Sequence, residues 1–268
     1  GIAGQVCFSL QRLRAQRRHM SQDLDLARQI QQGFLQLPDQ MNGFRISAHY
    51  RPALNVGGDF YALVPTDHGR VMAVIGDVSG KGVSAALLMS RVTMEFSRIA
   101  KEEQAPRRVL SLLNESLCGA SRDDTFVTAA CLRLDAARGR LTVANAGHVL
   151  PVVRRRTGTV LTLGAASGLP IGMMPTETYA DQTFDLEPGD IILLMTDGVV
   201  DALEGDALDM RMVMDLVSEA PHDAAKINDD IIAAVERAVG ARIGDDVALL
   251  SLEMMDEAPP ITARGRTA

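Results

Sequence analysis

Four Asp-Gly positions at the ends of apolar runs are the places in this chain where residue type and spacing could do chemistry. Asp59 follows Gly57-Gly58, and Asp77 follows Gly76 at the close of Val71–Ile75. Asp197 precedes Gly198 after Ile191–Met195, and Asp245 and Asp246 follow Gly244 ahead of Val247–Leu252. One Asp-Gly at a strand end is an ordinary turn. Four of them, far apart in sequence, predict that these strands lie together and aim their carboxylates at one place. Clustered carboxylates repel and do not all stay ionised without cations. Their hard oxygen donors suit magnesium or manganese. The stretch Val74-Ile75-Gly76-Asp77-Val78-Ser79-Gly80-Lys81-Gly82 reads as strand, tight turn and helix start. A phosphate-cradling P-loop fails there on spacing: too few residues separate Gly76 from Gly80, and Gly82 follows Lys81 where Ser or Thr is required.

The elements that must carry these residues follow from periodicity. Phe44–Arg51, Phe60–Val64 and Val71–Gly76 are predicted strands, with Val83–Ala100 and Pro106–Ser121 as helices. Phe126–Leu134, Arg140–Val143 and Pro151–Arg156 predict an antiparallel meander, followed by a Gly/Pro-containing loop from Gly164 to Thr176. Tyr179–Leu186 and Val247–Glu253 are further strands, and Ala207–Glu219 and Ala224–Ala241 two more helices. Strands interleaved with paired helices predict an α+β layered fold. Before Pro38, Val6, Leu10, Leu13, Arg17, Met20, Leu24, Ala27, Gln31 and Phe34 follow a 4-3-4-3 spacing. That is a heptad seam, either paired with a second copy or laid on the chain's own domain. The dense charge flanking it predicts the pair, a homodimer.

Bulk properties narrow the classes. Hydrophobic content of 47% supports a sizeable core, and aromatic content of 4% with no Trp makes its packing aliphatic. A net charge of -7 argues against nucleic acid as the main partner. Cys7, Cys118 and Cys131 form no CxxC motif and read as small buried hydrophobes in a reducing compartment. No apolar run approaches the ~18 residues of a membrane span. Gly1–Leu10 lacks the charged leader of a signal peptide, so the expected location is cytoplasmic.

The order of the motifs carries a resemblance. Val56-Gly57-Gly58-Asp59-Phe60-Tyr61, the Gly-Asp-Val-Ser-Gly-Lys-Gly turn at Asp77, Asn145-Ala146-Gly147-His148, Thr196-Asp197-Gly198 and Asp245-Asp246 resemble the PPM metal-dependent serine/threonine protein phosphatases in their bacterial SpoIIE/RsbU-like branch. Arg28–Gln32 with Leu37-Pro38 is similar to the helix that precedes the domain there, and Gly1–Arg14 resembles the closing helix of a GAF-type sensor. The resemblance implies a β-sandwich of two antiparallel sheets flanked by helix pairs. It implies three regions: 1–38 a coiled-coil signalling helix, 39–255 the phosphatase domain, 256–268 a disordered tail.

It also implies two Mn²⁺ or Mg²⁺ ions and a bridging hydroxide that attacks phosphoserine or phosphothreonine. Asp77 would bridge the ions, Val78 would offer its carbonyl, and Asp59 would contact one ion. Asp197 and Asp245 would ligate from later strands, with Asp246 the competing choice for the last ligand. The expected substrate is a phosphorylated STAS-type anti-sigma-factor antagonist. Three departures from the family pattern stand out. Ser79 replaces the histidine of animal and plant relatives, Leu54 and Asn55 stand where a phosphate-binding arginine is expected, and Ala62 replaces an aspartate. They motivate the alternative of a pseudophosphatase that only binds a partner. In this family the His148 segment is a turn between sheet strands, which favours a structural role for that histidine over a catalytic one.

Overall fold

The computed structural model describes residues 2–119, 125–164, 167–203, 210–240 and 244–256. The chain begins with helix α1, Ile2–Phe34, followed by strands β1 (Gln40–Met41), β2 (Phe44–Arg51), β3 (Phe60–Thr66) and β4 (Arg70–Val78). Helices α2 (Val83–Glu102) and α3 (Pro106–Cys118) come next, then β5 (Val127–Asp135), β6 (Arg140–Ala146), β7 (Val152–Arg154), β8 (Val160–Thr162), β9 (Ser167–Gly168), β10 (Gln182–Asp185) and β11 (Ile191–Met195). Helices α4 (Asp197–Leu203), α5 (Arg211–Glu219) and α6 (Ala224–Val239) lead to the closing strand β12, Val247–Met254.

The strands form two sheets of six. One runs β1-β2-β12-β11-β7-β8, and the other β10-β6-β5-β4-β3 with β9 added to β6. All neighbours are antiparallel except β6 and β9. Helices α2 and α3 cover the outer face of the second sheet, and α4, α5 and α6 that of the first. Apolar runs without alternation make sense on such strands, because both faces are buried. In β11 and β12, Ile192, Leu194, Ala248, Leu250 and Leu252 point between the sheets. Ile191, Leu193, Met195, Val247 and Leu249 point the other way, onto Val213, Val217, Ile227 and Ile231 of α5 and α6. Two helices carry a start signal: Pro106 opens α3, and the Asp223 carboxylate accepts the N–H groups of Ala225 and Lys226 at the start of α6.

Several expectations are corrected. The meander breaks after β6: β5 and β6 pair in one sheet, whereas β7 pairs with β11 in the other. The cause is the Asn145–His148 turn, where the Asn145 side chain accepts the His148 N–H at 2.8 Å and donates to the His148 carbonyl at 2.9 Å. This reverses the chain across the sandwich instead of continuing the ladder. The strand expected over 179–186 shrinks to β10, and a helix, α4, begins directly at Asp197 where only a turn was predicted. The first residues of the helix predicted from Ala207, the end of that predicted to Ser121 and the tail from 257 lie outside the described residues.

The heptad helix is continuous over 33 residues. Its seam positions Val6, Leu10, Leu13 and Arg17 lie outside the described side chains. At its last turn the seam meets the chain's own domain, with Gln31 at 3% exposure and Phe34 packed against the core, while Leu24 and Ala27 are half-buried. Met20, Leu26 and Ile30 face outward. Cys131 is buried, whereas Cys118 is only partly so. Among the described residues no helix is long and apolar enough to cross a membrane.

Candidate active site

The topology brings the predicted aspartates to one end of the sandwich. Asp59 lies just before β3 and Asp77 near the end of β4, both on one sheet. Asp197 follows β11, and Asp245 and Asp246 precede β12, on the other. Asp59 is 1% exposed and within hydrogen-bond reach of Asp77. Burial raises the pKa of Asp59, and the charge of Asp77 raises it further. Asp77 is raised by burial first and then by Asp197, and Asp197 by burial and then by Asp245. Each carboxylate therefore feels the next.

The backbone around the set is fixed by side chains from distant elements. The Thr196 hydroxyl donates to Asp59 Oδ2 at 2.6 Å and accepts the Ala248 N–H at 2.9 Å, tying β11, β12 and the Asp59 turn together. Asp246 turns both oxygens to backbone, accepting Ala53 N–H at 2.7 Å and Gly58 N–H at 2.6 Å. Any side chain at Gly57 or Gly198 would collide with Asp246, which is why glycine stands at both positions. From α1, Gln31 donates to the Gly57 carbonyl at 2.6 Å and accepts the Gly57 N–H at 3.2 Å. Asp245 is half-exposed and pairs with Lys81 Nζ at 3.1 Å.

Hard carboxylate oxygens, mutual repulsion and the Val78 carbonyl beside Gly58 and Asp77 fit divalent cations. The set is not closed, because among the described residues no three of His, Cys, Asp or Glu converge on one point at ligating range. Beside Asp197 opens a cavity of about 460 Å³ lined by Thr128, His148, Leu150, Met210 and Met214. His148 is buried, with Nδ1 2.9 Å from the Thr128 hydroxyl and no hydrogen-bond partner on Nε2. Burial lowers its pKa to about 4.

Two of the departures noted in the sequence make other contacts. The Ser79 hydroxyl accepts the Phe126 N–H at 3.0 Å, latching β4 to β5. Ala62 lines a separate cavity between the end of α1 and α2, with Phe34, Thr93 and Met94. Two residues with direct effects on the site, Gln31 and Thr196, received no role from the sequence. Their signal was present: an amide in an apolar heptad seam and a hydroxyl ending a buried strand each need a specific partner.

The class is defined by the architecture. The phosphatase domain of SiaA from Pseudomonas aeruginosa superposes with a TM-score of 0.75 at 23% identity, covering 89% of this chain and 98% of that one. The phosphatase domain of SpoIIE with a regulatory fragment, from Bacillus subtilis, superposes with a TM-score of 0.68 at 19% identity, covering 78% and 63% of the two chains. The fold is therefore that of the PP2C phosphatase domains. Residues 67–255 match the family model described as Stage II sporulation protein E, and the chain belongs to that family. Among curated relatives, phosphoserine phosphatase RsbP of Bacillus subtilis is 31% identical over 67% of this chain and 45% of its own length. Phosphoserine phosphatase RsbU of the same organism is 28% identical over 71% and 57%. The chain thus spans about half the length of these relatives.

Proposed function

We propose that this chain is a metal-dependent phosphatase acting on phosphoserine or phosphothreonine of a bacterial regulatory protein. The observation that carries the reading is the meeting of Asp59, Asp77, Asp197 and Asp245, two from each sheet, in one mutually repelling set. Two relatives named as phosphoserine phosphatases support the reaction class. A structural neighbour, RsbX, is described in complex with magnesium, which supports a divalent ion.

Two Mg²⁺ or Mn²⁺ ions would supply a water acidified from ~16 towards neutrality as nucleophile, and Lewis acidity on the phosphoryl oxygens. Asp77, central in the set, and the Val78 carbonyl beside it would help to hold the ions. Asp59 is held in orientation by Thr196. Asp245 is the reading for the last ligand: it is half-exposed, with one oxygen on the Asp246 N–H and the other on the exchangeable Lys81 ammonium, whereas Asp246 is buried and ties down the Ala53–Gly58 loop through both oxygens. The cavity beside Asp197 gives room for the segment flanking the phosphorylated residue.

By resemblance, the substrate class is a STAS-type anti-sigma-factor antagonist. Residues 1–38 act as a signalling helix that pairs two copies ahead of a 39–255 catalytic domain. Free Cys118 and Cys131 accord with a reducing, cytoplasmic setting. Hydrolysis of p-nitrophenyl phosphate with Mn²⁺ tests the reading. Wild type should turn over and Asp77→Asn should lose at least about a hundredfold with its circular dichroism unchanged. Full activity in Asp77→Asn overturns the assignment, and an inert wild type returns the pseudophosphatase. Sedimentation of Leu13→Glu/Leu24→Glu tests the pairing: a wild-type dimer and a mutant monomer are expected.

A further inference from the structure

We propose that Lys81 is a resident counter-cation of the site, which holds Asp245 in the metal-poor state and must release it before a divalent ion is ligated there. The inference rests on the metal-dependent reading above. Lys81 stands in the turn between β4 and α2, between Gly80 and Gly82, whose φ angles are +98° and +77°. This backbone sends its ammonium across to the turn before β12, 3.1 Å from Asp245 Oδ2 and 2.8 Å from the Gly244 carbonyl. A merely solvated turn lysine has no reason to converge on two oxygens of a turn so distant in sequence.

The other carboxylates are held differently. Asp59 has the Thr196 hydroxyl, and Asp246 has two backbone N–H groups. Among the described residues, Asp245 is the one member of the set in an ion pair. An ammonium at this distance and a divalent ion on the same carboxylate repel at close range, so the two occupy Asp245 in alternation. Both side chains are nearly half-exposed, at 48% and 45%, so the pair is screened by water and opens readily. The ion held through Asp245 is accordingly the weaker and more exchangeable of the two.

Calorimetric titration of the metal-stripped chain with MnCl₂, at low salt and without substrate, tests this. In Lys81→Met and in Lys81→Gln the weakest Mn²⁺ site should tighten by about two- to fivefold, the range for losing an exposed ion pair. Lys81→Arg should stay near wild type, and the gain should shrink in high salt. In an Asp245→Asn background, Lys81→Met should change nothing. Equal or weaker Mn²⁺ affinity in both uncharged variants overturns the inference and makes Lys81 a strut between turns. A wild type that binds no Mn²⁺ overturns the metal-dependent reading and the inference with it, whereas the comparison between variants judges the inference alone.

Discussion

Asp246 aims both carboxylate oxygens at N–H groups of the Ala53–Gly58 loop, whereas its neighbour Asp245 reaches across to Lys81. Truncating Asp246 strands two largely buried donors, so Asp246→Ala should lower stability by about 3 kcal/mol in urea unfolding. Asp245→Ala, made at a half-exposed carboxylate, should cost less than about 1 kcal/mol while weakening Mn²⁺ binding. His148 gives a second prediction at this scale. Its folded pKa of about 4 lies below the ordinary imidazole value, so the unfolded chain binds the extra proton. Stability from this group is whole above about pH 6.5 and falls as pH drops from there to about 4, by roughly 3 kcal/mol in all. His148→Gln should unfold more easily than wild type at pH 8 yet lose less stability between pH 7 and pH 5, read from paired urea curves.

Among the elements, α1 reaches the site through Gln31, whose amide makes two hydrogen bonds with the Gly57 backbone at 3% exposure. Gly57 is two residues from Asp59, so the last turn of the helix and the first carboxylate are mechanically linked. Gln31→Ala should speed amide exchange at Gly57–Asp59 by roughly tenfold, for a loss of about 1–2 kcal/mol, and weaken Mn²⁺ binding. Unchanged exchange would show that the turn is held by Asp246 alone. The helix was legible in its 4-3-4-3 spacing, but its contact was not. Heptad periodicity identifies a buried stripe without saying whether a second copy or the chain's own domain covers it.

For the whole molecule, folding must bring like charges together, and their repulsion opposes it. Ions that bind only the folded state stabilise it by mass action, about 2.7 kcal/mol at a hundredfold excess over Kd. Mn²⁺ should therefore raise the melting temperature by on the order of 5–10 °C, as followed by calorimetry. Chelation should reverse the shift, and Asp77→Asn should abolish most of it.

The sequence by itself determined the strands that bear the aspartates, because apolar runs ending in Asp-Gly are local signals of a buried strand and a tight turn. It also determined the α+β class, and the order of its motifs pointed to the family. The partition of β5, β6 and β7 between two sheets was decided only in three dimensions, since a turn's side-chain hydrogen bonds redirect the chain without altering strand periodicity. The division of work between Asp245 and Asp246 likewise needed the fold. Adjacent identical residues carry no local difference, and what separates them is the Ala53–Gly58 loop on one side and Lys81 on the other. Those partners lie far away in sequence, and tertiary packing alone sets the distances at which charges and hydrogen bonds act.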